Sequence, residues 1–123
     1  MKFCTAITCM DGRIQLPVIK YLQKRLNTKY VDLITEPGPN LILAKQTDIY
    51  LVESVIAKLK ISVEKHNSIG AVVVGHHDCA GNIASKEEQL QQIHESVKFI
   101  RQSFNHLEVF GLWVDENWKV QEI

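Results

Sequence analysis

The sequence predicts a three-layer α/β/α fold around a mostly parallel sheet. Short apolar runs of β-forming residues alternate along the chain with segments in which apolar residues recur at helical spacing. The run at 69–74 is apolar almost throughout, which is typical of a strand covered on both faces in the centre of a parallel sheet. Strands separated by helices pair in parallel through right-handed crossovers. Since the chain has 123 residues and no internal repeat or linker, we expect a single domain spanning 1–123.

The first half of the chain is expected to hold two strands and two helices. The run Phe3–Thr8 predicts the first strand, and Tyr30–Thr35 predicts the second. Between them, Pro17 is expected in the first turn of a helix, where a missing N–H costs no intrahelical hydrogen bond. The segment 37–40 (Pro-Gly-Pro-Asn) predicts a loop. Apolar residues on one side then predict a long helix at 45–65.

The second half continues the alternation and ends in a hairpin. After the third strand, which is the apolar run already described, Ser85 and Glu88 form a Ser-x-x-Glu capping box that opens another helix. A fourth strand is predicted at 107–114. Residues 115–117 are polar and turn the chain back, and 118–123 is expected to pair as an antiparallel hairpin strand.

Composition and charge exclude several classes of partner. Fourteen basic residues balance fourteen acidic ones, so no strong field favours nucleic acid or an anionic membrane. The apolar runs are far shorter than the roughly 20 residues that a membrane span needs, and no signal peptide is recognisable. The odd count of three cysteines argues against a disulfide framework and favours a reducing, cytoplasmic setting.

Two short motifs follow predicted strands and supply metal-binding side chains. The first is 9–13 (Cys-Met-Asp-Gly-Arg), after the first strand, and the second is 75–79 (Gly-His-His-Asp-Cys), after the third. Two thiolates and one imidazole, from Cys9, His76 and Cys79, form the ligand set of a zinc site that leaves a fourth position open. The competing interpretations are a buried thiol pair with a hydrogen-bonded histidine, and a closed structural zinc site.

A shared metal also predicts the order of the strands. If Cys9 and Cys79 bind one ion, the carboxyl ends of the first and third strands must be neighbours. The parallel sheet then has the order 2-1-3-4, and the C-terminal hairpin strand pairs antiparallel. The gap between strands one and three becomes a topological switch point, where open α/β sheets bind ligands.

Several polar side chains stand beside these ligands. Asp11 could accept a hydrogen bond from a zinc-bound hydroxide, with Arg13 holding it in a bidentate pair and keeping it ionised. Asp11 could instead occupy the fourth zinc position, and the two residues could also form an ordinary surface ion pair. His77 is a candidate proton relay between bound water and solvent, or an exposed loop histidine. For Asp78 we expect a cap on the following turn rather than a part in the chemistry.

The two motifs together resemble those of the β-class carbonic anhydrases, which carry Cys-x-Asp-x-Arg after the first strand and His-x-x-Cys after the third. The Val-Val-Val-Gly-His and Asp-Cys-Ala-Gly segments around them are also similar to that family. The resemblance implies zinc on Cys9, His76 and Cys79, with Asp11 and Arg13 as a catalytic dyad. It implies reversible hydration of carbon dioxide to bicarbonate by a zinc-bound hydroxide. It also implies a homodimer or higher homo-oligomer with active sites near the subunit interface.

Three features depart from the family pattern. Gly12 stands where family members usually have serine, and the segment 35–40 lacks the family's arginine and gains Glu36. The chain also begins almost at the first strand, so we expect the amino-terminal helices that wrap a partner subunit to be absent. These departures keep two alternatives open. One is a hydrolase of another small heterocumulene, such as carbon disulfide or carbonyl sulfide, and the other is a non-catalytic zinc-binding module.

Overall fold

The computed structural model describes residues 2–123, which form five strands and four helices. In chain order these are β1 (Phe3–Thr8), α1 (Gly12–Arg25), β2 (Tyr30–Thr35), α2 (Pro39–Lys45), α3 (Ile49–Lys65), β3 (Gly70–His76), α4 (Lys86–Ser103), β4 (Glu108–Val114) and β5 (Val120–Glu122). Within the described residues, no helix combines the length and the apolar character that crossing a membrane would require.

The strands form one sheet with the order β2-β1-β3-β4-β5. The first four strands run parallel, and β5 pairs antiparallel with β4. This confirms the predicted strand order and the C-terminal hairpin. Since β1 and β3 are hydrogen-bonded neighbours, with Ile7 paired to Val73, the segments that follow these two strands begin side by side at the carboxyl end of the sheet.

Helices cover both faces of the sheet, as the three-layer prediction requires. One face packs against α1, whose Ile14, Val18 and Leu22 are fully buried. The other face packs against α2, α3 and α4. β3 lies in the middle of the sheet and is buried at every position, which explains its almost uninterrupted apolar sequence.

The first helix begins earlier than predicted. α1 starts at Gly12, so Pro17 lies inside the helix, and the prediction of a first-turn proline is wrong. The start is set by Asp11, whose side chain accepts a hydrogen bond from the backbone N–H of Arg13 at 2.9 Å. An aspartate can cap a helix and serve a site at the same time, and a sequence pattern does not distinguish these uses.

The predicted loop at 37–40 is partly wrong, because its second half opens a short helix. Pro39 is the first residue of α2, a position that suits proline because its missing N–H would have no helical acceptor. Gly38 precedes it with a φ of +64°, a left-handed conformation that favours glycine. A Cβ on Gly38 would lie 2.8 Å from the carbonyl oxygen of Gly81, so this turn packs directly on the loop that follows Cys79.

The helix predicted at 45–65 is shorter than expected, since a break separates α2 from α3. Gln46 adopts a φ of +56° at the end of α2, and α3 begins only at Ile49. Asp48 caps α3 by accepting a hydrogen bond from the N–H of Leu51 at 3.2 Å. The periodicity of apolar residues does not reveal such a break, because it carries no information on a single left-handed residue.

The remaining boundaries agree with their sequence signals within a few residues. Ser85 caps α4, and its hydroxyl accepts a hydrogen bond from the N–H of Glu88 at 3.2 Å, which confirms this helix start. β3 extends through His76, so this residue ends the strand and does not belong to the loop. β5 has three residues and is therefore shorter than the hairpin strand predicted at 118–123.

Candidate metal centre

Cys9, His76 and Cys79 converge at the carboxyl end of the sheet, where β1 and β3 end. Their donor atoms all lie within 4.8 Å of one another, and the two Sγ atoms are 3.8 Å apart. All three side chains are buried. Among residues 2–123, this group offers the donor types and the spacing that a tetrahedral metal ion needs from three protein ligands.

One nitrogen of His76 is free to bind a ligand. Its Nδ1 lies 2.8 Å from the carbonyl oxygen of His77, and because a carbonyl can only accept, Nδ1 carries the proton. Nε2 is then an unprotonated acceptor, and it is buried without a hydrogen-bond partner in the part of the chain that the structure describes. A buried polar atom left unpaired costs free energy. Coordination of a metal ion would satisfy this atom.

The two thiols are buried next to each other, an arrangement that disfavours thiolates unless a cation is present. Burial, and after it the neighbouring Cys9, raise the pKa of Cys79 to about 11. A divalent cation would reverse this effect, because it stabilises deprotonated sulfur. Sulfur donors combined with one imidazole suit Zn²⁺. The donor set, its burial and the unpaired Nε2 of His76 therefore all fit zinc.

Asp11 and Arg13 form a close ion pair beside the three donors. Nη2 of Arg13 lies 2.6 Å from Oδ2 of Asp11, and Nε lies 3.0 Å from Oδ1. The hydrogen bonds from Arg13 lower the pKa of Asp11 to about 2, so the carboxylate stays ionised at neutral pH. Within residues 2–123, Asp11 is not a member of the convergent donor group, and both of its oxygens are engaged by Arg13.

The guanidinium of Arg13 also contacts two further segments. Nη1 lies 3.2 Å from Oδ2 of Asp78, and Nη2 lies 3.1 Å from the carbonyl oxygen of the same residue. In addition, Cζ lies 4.5 Å from the centre of the Trp118 ring. The sequence predicts only a turn cap at Asp78, whereas the structure shows its carboxylate in contact with the candidate site.

His77 lies next to the site with its side chain exposed. Its backbone N–H donates to the carbonyl oxygen of Val114 at 2.9 Å, and its own carbonyl oxygen accepts from His76. These contacts fix the main chain and leave the imidazole in solvent. An exposed imidazole in this place is available for proton exchange with buffer, and the relay role stays a prediction.

Gln15 supports the segment that carries Cys9 and Asp11, and sequence reasoning missed it. Its Nε2 donates to the backbone carbonyl oxygens of Cys9 at 2.7 Å and of Asp11 at 2.8 Å. The Thr8 hydroxyl donates to the same Cys9 oxygen at 2.9 Å. Gln15 could have been identified from its position, because it lies one helical turn after the N-cap Asp11.

A buried amide network supports the strand end that carries His76, and it too was missed. The side chain of Gln89 donates to the His76 carbonyl oxygen at 3.1 Å. Asn40 donates to Gln89 and Gln92, both at 3.3 Å, and Asn82 donates to Gln92 at 2.7 Å. The network joins α2, α4 and the loop after β3. The available signal was a pair of glutamines, Gln89 and Gln92, at the spacing that places them on the inner face of α4 beside Ile93, Val97 and Ile100.

The whole chain matches one family of known proteins. The family model described as "Putative carbonic anhydrase" covers residues 1–123. The chain belongs to this carbonic anhydrase family. The match confirms the family resemblance that the two motifs indicate, and it extends over the full sequence.

Solved structures of carbonic anhydrases share the fold of this chain. The carbonic anhydrase from Glaciozyma antarctica matches with a TM-score of 0.62 at 17% identity, over 96% of this chain and 80% of that one. A mutant of the β-carbonic anhydrase CafD from Aspergillus fumigatus matches with a TM-score of 0.64 at 12% identity, over 100% and 89% of the two chains. A structure from a study of two tetrameric β-carbonic anhydrases from Sordaria macrospora matches with a TM-score of 0.57 at 16% identity, over 99% and 80%.

These likenesses are informative about the fold alone, because the identities are low. No protein of curated function matches the sequence. The features that bear on activity are therefore the family match and the side chains of the candidate metal centre.

Proposed function

We propose that the protein is a zinc enzyme that catalyses the reversible hydration of carbon dioxide to bicarbonate. The observation that carries the proposal is the convergence of Cys9, His76 and Cys79 next to the ion pair of Asp11 and Arg13. Nε2 of His76 is unpaired within this group. Membership of the carbonic anhydrase family supports the same function. The donor set is also chemically suited to zinc.

Three side chains would hold the metal, namely Cys9 and Cys79 through Sγ and His76 through Nε2. Three protein ligands leave one tetrahedral position for a solvent molecule or substrate. When bound there, Zn²⁺ supplies Lewis acidity that makes water a nucleophile near neutral pH. The proton on Nδ1 of His76, held by the backbone, keeps the ring in the tautomer and orientation that this coordination requires.

Asp11 is the proposed hydrogen-bond acceptor that orients the reacting water. Its carboxylate is ionised, so it can only accept. Three N–H groups of Arg13 donate to it, with the Nε–H shared between Oδ1 at 3.0 Å and Oδ2 at 3.2 Å, whereas a carboxylate offers about four acceptor positions. One position therefore stays available for the O–H of a water molecule, whose lone pair is then free to attack the carbon of the substrate.

Arg13 keeps Asp11 in the state that this role needs. A protonated carboxyl would donate a hydrogen bond and turn the water the wrong way, and the guanidinium prevents protonation by lowering the pKa of Asp11. Each hydration also releases one proton, which must reach the solvent. The exposed imidazole of His77 is the proposed relay for that proton.

We further propose that the protein works as a homodimer or larger homo-oligomer in the cytoplasm. One structural neighbour is described as tetrameric. Tyr50 and Ile83 are 81% and 94% exposed, which leaves apolar surface for contact with a second copy. The three cysteines are free thiols, as a reducing compartment allows. Sedimentation of the zinc-loaded protein and fractionation of its cells would test these two proposals.

Stopped-flow measurement of carbon dioxide hydration tests the proposed activity, on protein whose zinc content has been verified. We expect rapid, zinc-dependent hydration at about pH 8.5. Asp11→Asn should lose most of this activity. The matched control is Asp48→Asn, which changes another N-cap aspartate at the start of a different helix.

No hydration above buffer by zinc-loaded protein would contradict the proposal. Hydrolysis of carbonyl sulfide or carbon disulfide by the same sample would then identify a hydrolase of other heterocumulenes. Inactivity toward all three compounds, with unchanged metal coordination across neutral and alkaline pH, would identify a non-catalytic zinc-binding module.

A further inference from the structure

We infer that Asp78 and Trp118 are positioning residues that hold Arg13, and through it Asp11, in the orientation that the site needs. The inference rests on the proposed function, because it assigns both residues a role in carbon dioxide hydration. Neither residue belongs to the metal donor group or to the ion pair itself. Each touches the guanidinium from a different loop.

Asp78 holds the guanidinium from the loop after β3. Its Oδ2 accepts from Nη1 of Arg13 at 3.2 Å, and its backbone carbonyl oxygen accepts from Nη2 at 3.1 Å. Asp78 adopts a φ of +58°, a left-handed conformation that aspartate tolerates better than most residues. Because Asp78 directly precedes Cys79, these contacts join Arg13 to the segment that carries a metal donor.

Trp118 holds the guanidinium from the turn between β4 and β5. Cζ of Arg13 lies 4.5 Å from the ring centre, within the range of a cation–π interaction. Trp118 has a φ of +60°, which is rare for a bulky residue. Asp115 secures the turn, since its Oδ1 accepts from the N–H groups of Asn117 and Lys119 at 2.9 Å and its carbonyl accepts from that of Trp118 at 3.0 Å. The turn thus keeps the Trp118 ring against a side chain of the candidate site, although the Trp118 backbone is in an unfavourable conformation.

Arg13 is therefore restrained from three segments, through Asp11 after β1, Asp78 after β3 and Trp118 after β4. These strands are consecutive in the sheet and run parallel, so their carboxyl ends lie together. The Arg13 side chain is 45% exposed, and such a long side chain would otherwise sample several rotamers. The restraint means that Asp11 is already oriented when the substrate arrives, and preorganised groups are the ones that favour reaction.

A purely structural role would join the loops without affecting the chemistry, and four variants distinguish the two roles. Trp118→Phe and Trp118→Leu meet similar strain at this φ, but only phenylalanine keeps a ring face for the guanidinium. Asp78→Asn keeps a residue type that tolerates a left-handed backbone, and it removes the charge. Glu116→Gln changes an exposed carboxylate in the same turn as Trp118 and serves as the control.

The experiment measures two properties of each zinc-loaded variant. The first is kcat and KM for carbon dioxide hydration. The second is the exchange rate of the Arg13 Nε–H proton with water, observed by ¹⁵N–¹H NMR, with the Nε–H of Arg25 as an internal reference. Arg25 suits this purpose because it pairs with Glu122 at 2.8 Å, away from the metal centre.

We expect Trp118→Leu and Asp78→Asn to lower kcat about 10-fold with KM little changed, the lower end of effects typical of groups that orient a metal site. Exchange of the Arg13 proton should accelerate in both variants while that of Arg25 stays constant. Trp118→Phe and Glu116→Gln should keep kcat within about 2-fold of the wild type. Zinc content should be equal in all of them.

Wild-type kcat and unchanged exchange at Arg13 in both Trp118→Leu and Asp78→Asn would overturn the inference. So would a Trp118→Phe variant as impaired as Trp118→Leu, because the loss would then come from general packing. If the wild type does not hydrate carbon dioxide, the proposed function fails first. Exchange of the Arg13 Nε–H proton then still tests the restraint on its own. Faster exchange in Trp118→Leu and Asp78→Asn supports the restraint, and unchanged exchange refutes it.

Discussion

The Sγ atoms of Cys9 and Cys79 lie 3.8 Å apart, although 70 positions separate the two residues along the chain. Their proximity depends on the topology, because β1 and β3 are parallel neighbours and the segments after them emerge side by side. A metal ion bound by both sulfurs would tie β1 to the loop after β3. Metal binding and the free energy of unfolding should therefore be coupled.

Cys79→Ser should abolish stoichiometric zinc binding and lower the melting temperature by roughly 5–10 °C relative to the zinc-loaded wild type. The substitution removes one of three ligands and with it the link between two strands. Zinc analysis after gel filtration and thermal unfolding measure the two effects. The control Cys4→Ser changes a buried cysteine whose Sγ contacts Thr28 at 3.3 Å, and it should keep the metal. Full zinc occupancy in the Cys79 variant would refute the ligand assignment.

Zinc binding should release protons and weaken as the pH falls. The pKa of Cys79 is raised to about 11 in the metal-free site, so this thiol is protonated at neutral pH and must lose its proton to bind. The apparent affinity should fall about tenfold per pH unit for each proton released. Titration calorimetry in two buffers of different ionisation enthalpy counts these protons. Binding that releases none would argue against Cys79 as a thiolate ligand.

Asp11→Asn should keep zinc and lose hydration activity by about 10- to 100-fold in kcat, because an amide cannot reproduce the ionised acceptor. Asparagine is a good N-cap, so the free energy of unfolding should change by less than about 1 kcal/mol. Stopped-flow kinetics and urea unfolding on the same preparation separate these effects. A variant that runs at the wild-type rate with full zinc would make Asp11 a bystander.

The lowered pKa of Asp11 also determines in which direction its contribution to the free energy of unfolding changes with pH. The folded value of about 2 lies below the value of about 3.9 for an unfolded chain, because Arg13 stabilises the ionised form. The resulting stabilisation is complete above about pH 5 and is lost as the pH falls through the folded pKa. Asp11 should therefore add no acid limb to the activity profile near neutrality. An acid limb near neutral pH that is present in the wild type and disappears in Asp11→Asn would contradict the lowered pKa of Asp11.

Gln15→Leu should weaken zinc binding and lower the free energy of unfolding by about 1 kcal/mol, because the Cys9 and Asp11 carbonyls each lose one of their two donors. The control is Gln23→Leu, which removes one bond to the Lys29 carbonyl at the far end of the same helix. Only the Gln15 variant should change zinc affinity, as measured by competition with a chelator. Equal affinities in the two variants would show that the segment keeps its shape without Gln15.

Gly75→Ala should destabilise the protein by about 1–3 kcal/mol, because overpacking a filled core forces its neighbours to move. The added Cβ would lie 2.9 Å from Cδ1 of Ile93 and 3.0 Å from Oε1 of Gln89, which supports the His76 carbonyl. Urea unfolding measures the change. Gly12→Ala is the control, since nothing lies within 4 Å of its Cβ position and α1 begins there. Equal stability of the two variants would mean that α4 can move aside.

Short-range patterns were sufficient for most of the sheet. Phe3–Thr8 and Tyr30–Thr35 are strands with the predicted bounds, because runs of β-branched and apolar residues favour extended backbone. The strand order needed one further constraint, a metal shared by Cys9 and Cys79, and the structure has that order. Local sequence and the chemistry of a few ligands were thus enough to predict the strand order.

Helix ends were less predictable, because their signals overlap with other uses of the same residues. Asp11 is the N-cap of α1, but its position in a motif with Arg13 favours an interpretation as a site residue. Pro17 then predicts a later helix start than the one observed. Gln46 ends α2 in a left-handed conformation, which a glutamine in the sequence does not predict. Such endings depend on the packing of the segments on either side.

By itself, the sequence determined the α/β class and the two motifs at strand ends, because both depend on the composition of short segments. Only the tertiary structure decided which side chains support the site, namely Gln15 behind Cys9 and the pair Asp78 and Trp118 on Arg13. The physical reason is that a hydrogen bond or a stacking contact depends on which loops adjoin and on where their side chains point. Short-range periodicity encodes neither.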